Sequence, residues 1–305
     1  VLGDLTERSG KKAQYEKAKK ILKDYMKYDA GIFVFSDPVG SFRFSLVYGQ
    51  AEGIRKSWSN FRRFTYFVST DQTNNTFRGR IGGCDFSSLD IIKDAFSVEK
   101  VNKEFYKEIA KYYYRLTGKN EYERELVLPS VGEDDDKKYE EFAVRLIGRA
   151  IFCWFLKHKK SANGIPLIAK EALSVSAVHN HANYYHSILE PLFFEVMNKP
   201  IKDRKSIAIP EAHKIPFLNG GLFEPHANDY YQNMPNHALK IPDRWFEDFL
   251  SVLEQYNFTI DENSIVDADV SVDPEMLGRI FENLLAEVVP ETGETARKAT
   301  GSYYT

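Results

Sequence analysis

The hydrophobic period of this 305-residue chain changes near Asp85, and that change limits what the chain can fold into. Before that point three runs, GIFVFS, FRFSLVYG and FRRFTYFVST, are rich in β-branched and aromatic residues and alternate in part. Bounded by Asp, Pro and Gly, they predict strands. The turn sequence Ser36-Asp37-Pro38-Val39-Gly40-Ser41 joins the first two as a hairpin and gives Asp37 a structural role. A basic helix precedes them within LTERSGKKAQYEKAKKILKDYMKYDA, with Tyr15, Ala18, Ile21, Leu22 and Tyr25 as its apolar side.

Beyond Asp85 apolar residues recur at steps of three and four, which predicts helices. SLDIIKDAFS is a short one. In SVEKVNKEFYKEIAKYYYRLTG, Val101, Phe105, Ile109 and Tyr112 or Tyr113 point inward and Gly118 closes the helix. An acidic run over 132–138 is expected to be a solvated loop. YEEFAVRLIGRAIFCWFLKHKK follows, with Phe142, Leu146, Ile147, Ala150, Ile151, Trp154 and Phe155 in register. Its near-continuous hydrophobicity marks a central core helix. YYHSILEPLFFEVMNK, kinked or broken at Pro191, and DRWFEDFLSVLEQYN are further helices, with a turn at Asn219-Gly220-Gly221 between them. The expected class is α+β. A small basic α/β portion, incomplete upstream, covers residues 1–85; a larger, mainly helical domain covers 86–289; a polar linker covers 290–305.

Composition bears on partners more than on fold. Hydrophobic residues at 43% and charged residues at 28% suit a soluble globular protein. No apolar run reaches the roughly 18 residues of a membrane span, so no membrane partner is expected. Cys84 and Cys153 lack redox or zinc spacing, which fits a reducing cytoplasm. The net charge of −3 is unevenly spread. Residues 1–85 carry 15 Lys/Arg against 9 Asp/Glu, a net of +6; the remainder carries 26 against 35, a net of −9. Charge segregated in this way speaks to association.

The C-terminal stretch is VSVDPEMLGRIFENLLAEVVPETGETARKATGSYYT. Asp273 suits an N-cap and Pro274 the first helical position. Met276, Leu277, Ile280, Phe281, Leu284, Leu285 and Val288 form a core-facing stripe, and Pro290 and Gly293 end it. The words DPEMLGRIFENLLAE and ETGETARKATGSYYT resemble, nearly residue for residue, the entry into the catalytic domain of adenine-N6 DNA methyltransferases fused into bacterial type IIG restriction–modification enzymes. FRFSLVYG, the CDFSSLD to AFSVEKVNKEFYKEI stretch, IPFLNGGLFE and YNFTIDEN resemble that family's amino-terminal half, so the likeness covers most of the chain. It implies a parent enzyme that transfers a methyl group from S-adenosylmethionine (SAM) to adenine N6 of double-stranded DNA after flipping the base. It also implies that Tyr304 and Thr305 open a SAM-binding motif. The family's Asn-Pro-Pro-Tyr-type motif and glycine-rich SAM loop do not occur in these 305 residues. The expected partner is therefore a methyltransferase domain beyond Thr305, with 290–305 as the linker into it. The fragment itself is expected to hold no catalytic residue and no cofactor.

Cations carry the candidate DNA contacts. Arg55, Lys56, Arg62 and Arg63 flank Trp58 and Phe61, and Arg78 and Arg80 follow in TFRGRIGG. Arginines fork onto phosphates, and interleaved aromatics and flexible glycines suit a nucleic-acid surface. A strand edge kept basic against pairing gives the same string. Arg297 and Lys298 in the TARKATGS loop suit phosphate contact, or a plain connector. Arg145 and Arg149, one turn apart on the most apolar helix, need a carboxylate, and a structural ion pair is the favoured reading.

Two rival functions stay open. A metal-dependent nuclease would hold Mg²⁺ between carboxylates on adjacent strands, with a carboxylate-x-lysine step. No strand in residues 1–85 carries that step, and Asp135-Asp136-Lys137 and Asp203-Arg204-Lys205 fall in polar segments. His179, His181 and His186 have conceivable metal spacing, yet they read more simply as a polar loop opening a helix, and no metal is expected. The other rival is a structural docking module without DNA contact.

Overall fold

The computed structural model describes residues 10–26, 29–49, 61–128, 131, 135–160, 164, 166–204, 209, 211–218, 221–226, 229, 239–259 and 266–288. The protein is α+β. It divides into two compact units, residues 1–105 with 255–273, and residues 106–254 with 274–305. The division therefore does not fall at residue 85, and the chain comes back to the first unit after most of the second.

The first unit opens with helix α1, Lys11–Lys20, continued by a π-helical turn at Ile21–Met26. Strands β1 (Ala30–Ser36), β2 (Phe42–Gly49) and β3 (Phe61–Val68) form an antiparallel meander. The hairpin between β1 and β2 is set by Asp37, whose Oδ1 accepts from the N–H groups of Val39 at 3.0 Å and Ser41 at 2.9 Å. Gly40 supplies the positive φ of 91° that this turn requires. A fourth strand, β4 (Asp267–Asp269), pairs parallel to β3, giving the order β1-β2-β3-β4. The reading of the sequence missed β4. Its flanks alternate as VDADVSVD, a strand period too short to stand out before the sheet that accepts it is known.

Strand geometry sends successive side chains to opposite faces. One face carries Phe33, Phe35, Ser45, Val47, Phe61, Arg63, Thr65, Asp267 and Asp269 by register. Helix α1 lies on it: Ala18 and Leu22 are buried with Phe35, Val47 and Phe61. The Tyr15 hydroxyl donates to the Phe61 carbonyl at 2.5 Å. The opposite face carries Phe42, Phe44, Tyr48, Arg62, Phe64 and Tyr66. Phe77 of α2 (Asn75–Gly82) meets Phe42, Phe44 and Tyr66 edge-on, and Phe96, just after α3 (Leu89–Ala95), stacks on Phe44. The Tyr66 hydroxyl donates to the Ala95 carbonyl at 2.6 Å, so residues following Asp85 belong with the sheet.

Helix α4 (Val98–Thr117) contains the change of unit, at Phe105/Tyr106. Val101, Phe105, Ile109, Tyr112 and Tyr113 are all buried, and Gly118 follows the last turn at φ 76°. In the second unit the central helix is α5, Asp136–His158. It begins inside the acidic run, so residues 136–138 form its first turn rather than a loop; negative charge there complements the helix N-terminus. The predicted apolar register of α5 is buried throughout. After α6 (Val175–Asn180), two π-helical stretches, Tyr185–Leu189 and Pro191–Met197, flank Glu190. Pro191 does not break this segment. Its ring crowds the carbonyl four residues back, and the wider π-helical turns around it ease that clash. Helices α7 (Asp243–Leu253) and α8 (Glu275–Val288) complete the unit. Met276, Leu277, Ile280, Phe281 and Leu284 of α8 are buried as their spacing predicts. The Leu285 and Val288 side chains lie outside the described set. The α5–α8 contact closes over Gly148, where an added Cβ would sit 1.8 Å from the Phe281 ring. Among the described residues no helix is long and apolar enough to cross a membrane.

Candidate nucleic-acid interface

The predicted cations do not form one patch. Arg55, Lys56, Arg297, Lys298, Tyr304 and Thr305 lie outside the described residues. Arg62 and Arg63 are neighbours on β3 and so occupy opposite faces of the sheet. Arg62 is half-buried, stands across from Tyr48, and has no carboxylate partner among the described residues. Lys93 places its ammonium 4.9 Å from the Tyr48 ring centroid, and Tyr48 stacks on Phe64 at 6.0 Å. Lys93 also meets Asp90 at 3.4 Å, so this face combines cations with aromatic rings and one carboxylate. Arg78 is exposed on α2. Arg80, on the same helix, is held by Glu104 at 2.7 Å and by the Asp94 carbonyl at 3.3 Å. Its guanidinium is occupied within the unit. The glycines of TFRGRIGG sit in or at the end of the α2 helix rather than in a loop.

Arg63 corrects the sequence reading most clearly. It is 1% exposed, and its Nε and Nη2 fork onto Asp267 at 2.8 and 2.5 Å. Its guanidinium carbon also lies 5.7 Å from the Tyr15 ring centroid. Lys11 reaches Asp269 at 2.5 Å, and Ser45 and Thr65 share a hydrogen bond of 2.8 Å between them. This polar seam joins α1, β3 and β4, and in it Arg63 is a fastener, not a surface cation. A planar fork matched to one carboxylate holds the short β4 in register. Neither Asp267 nor Asp269 was singled out from the sequence; their spacing of two was the available signal.

The second arginine pair behaves as its helix predicts. Arg145 donates from Nε and Nη2 to Oδ1 of Asp229 at 2.9 and 2.6 Å, and Arg149 Nη1 reaches Oδ2 at 2.8 Å. Arg149 also donates to the carbonyls of Leu222 at 2.6 Å and Glu224 at 2.8 Å, with Phe194 stacked near it. Burial pushes the Asp229 carboxyl up, but Arg149 and Arg145 outweigh it and hold the pKa below the usual value. The pair thus ties Leu222, Glu224 and Asp229 to α5. No periodic signal in the sequence pointed to Asp229.

The histidines each have a separate partner. His179 faces Glu247 at 3.1 Å, His181 meets the Ala177 carbonyl at 2.9 Å, and His186 bridges Glu190 at 2.5 Å and the Leu239 carbonyl at 2.7 Å. Among the described residues no group of three His, Cys, Asp or Glu side chains converges. On the described sheet the carboxylates are Asp267 and Asp269, both on one strand and both ion-paired.

No protein-family model matches the chain, and no solved structure matches it. A curated protein of Methanocaldococcus jannaschii, named "Putative type II restriction enzyme and methyltransferase", is 35% identical to it over 184 residues. The match covers 58% of this chain and 14% of that protein, so the chain spans a small part of its relative's length.

Proposed function

We propose that this chain is the amino-terminal and connector part of a type IIG-like restriction–modification enzyme that methylates adenine N6 in double-stranded DNA with SAM. Its own part is non-catalytic. It scaffolds a methyltransferase domain that follows Thr305 and contributes contacts to the DNA backbone. The observation that carries this reading is the 35% identity over 184 residues to a protein named as both restriction enzyme and methyltransferase. The words ending in ATGSYYT support the adenine-N6 assignment. Backbone contact draws support from the +6 charge of residues 1–85 and from Arg62 and Arg78, which have no carboxylate partner among the described residues. Arg55, Lys56, Arg297 and Lys298 join them on sequence grounds alone, whereas the ties of Arg63 and Arg80 within the fold argue for structural roles.

SAM binding is the test. Thr305 offers one hydroxyl, and a hydrogen bond contributes only about 0.5–1.5 kcal/mol net. Micromolar affinity needs roughly 8 kcal/mol. Titration calorimetry should therefore detect no SAM binding to the 305-residue chain. The same chain extended through the sequence encoded after Thr305 should bind SAM and methylate duplex DNA, with Tyr304 and Thr305 contributing to the pocket. Micromolar binding by the 305-residue chain alone would overturn the connector role.

A further inference from the structure

We propose that the outward face of α1 and of the π-helical turn that continues it is a docking surface for duplex DNA, with Lys12, Lys17, Lys20 and Lys23 contacting phosphates. This rests on reading the chain as part of a DNA-modifying enzyme and gives that reading a second surface, distinct from Arg62 and Arg78.

Charge balance is the first argument. All four lysines are exposed, and none meets a carboxylate among the described residues. The acidic groups on this stretch are Glu16, taken by Lys19 at 3.1 Å, and Asp24. Some lysines on other helices and turns are matched by carboxylates. Lys103 is matched by Glu99 at 2.7 Å, Lys111 by Glu108 at 2.8 Å, Lys199 by Glu195 at 2.5 Å and Lys214 by Glu211 at 2.5 Å. Exposed Lys107, Lys137, Lys170 and Lys202 also meet no carboxylate among the described residues, but they lie far apart along the chain, whereas residues 11–24 gather six lysines against two acidic residues on one helical stretch.

Anchorage is the second argument. The inner side of α1 is fixed by Ala18 and Leu22 in the core, by the Tyr15–Phe61 hydrogen bond, and by Lys11 on Asp269. The lysines therefore project from a helix that is already ordered, and binding need not order the backbone that carries them. Spacing is the third. Residues 12 to 23 span about 16 Å at the helical rise, the length of roughly four to five phosphates on one strand of B-DNA. Lysine is a point charge without the planar fork that reads base edges, so the surface positions the duplex and does not select sequence.

The test is fluorescence anisotropy of a labelled duplex against salt concentration, using the 305-residue chain. Replacing Lys12, Lys17, Lys20 and Lys23 by Gln should make the slope of log K against log salt shallower by about 3 to 4, as expected for four lost phosphate contacts. Replacing Lys103, Lys111, Lys199 and Lys214 by Gln removes equal charge and should leave the slope nearly unchanged. If the first variant loses its far-UV dichroism, the pair Lys12→Gln and Lys20→Gln should give about half the change. An equal slope for the α1 variant and the unaltered chain would overturn the α1 surface while leaving DNA as the partner. No binding by the unaltered chain at low salt would overturn the DNA reading as well. Displacement by polyglutamate as readily as by duplex, charge for charge, would overturn the assignment in favour of an acidic protein.

Discussion

Arg62–Arg63 and Arg145–Arg149 are two pairs of arginines with opposite fates. On the strand, neighbours in sequence part company: Arg62 reaches one face with no carboxylate partner among the described residues, and Arg63 is sealed against Asp267 on the other. On the helix, residues four apart come together, and both guanidiniums converge on Asp229. Clustering of charge along a sequence therefore says little until the period of the element is applied to it. In β3 the period of two halves an apparent patch. In α5 the period of 3.6 builds one buried site out of two separated residues.

The largest expected effect breaks the helical pair. Asp229→Ala leaves two guanidiniums buried without a counter-charge, and should cost about 3–5 kcal/mol in urea unfolding. A loss below about 1 kcal/mol would mean that water reaches both arginines. The same carboxylate fixes a pH dependence. Its folded pKa is depressed, so its contribution is present above the unfolded value of about 3.9 and is lost as pH falls through the lower folded one. Acid unfolding of Asp229→Ala should lack that component.

Next in size is the strand pair. Arg63→Ala strands Asp267, whose side chain is 24% exposed and partly hydrated, so the expected cost is about 1–3 kcal/mol. Arg62→Ala should stay within about 0.5 kcal/mol in stability and instead weaken duplex binding. Equal stability losses for the two would contradict their placement on opposite faces. Gly148→Ala probes the packing beside the helical pair. With Phe281 in the way, overpacking should cost about 1–3 kcal/mol, and Phe281→Leu in that background should recover part of it. The smallest effect concerns His186. Burial opposes its charge, but Glu190 and the Leu239 carbonyl outweigh it and raise the pKa. That stabilisation is complete below about pH 6.5 and fades as pH rises through the folded value. In a thermal-melt pH series, His186→Gln should remove this step.

Long periodic segments were legible from the residues alone. The three strands, the Asp37 turn, α4 with its Gly118 stop, α5 and the buried stripe of α8 all followed from local period and local turn chemistry, which neighbours in sequence fix. Arg145 and Arg149 were legible as a buried pair because an apolar helix cannot hold two cations without a carboxylate. The identity of that carboxylate was not, since Asp229 lies 80 residues beyond Arg149 in a segment without period. The three-residue β4 was equally hidden. A strand of that length gains its hydrogen bonds only from β3, some 200 residues earlier, and Arg63 learns its role only from Asp267. Sequence determined which elements form and which of their residues turn inward, because those are set by interactions a few residues apart. Tertiary structure decided which charges are spent inside the protein and which remain to meet a partner, because that depends on which distant chain segments arrive opposite them.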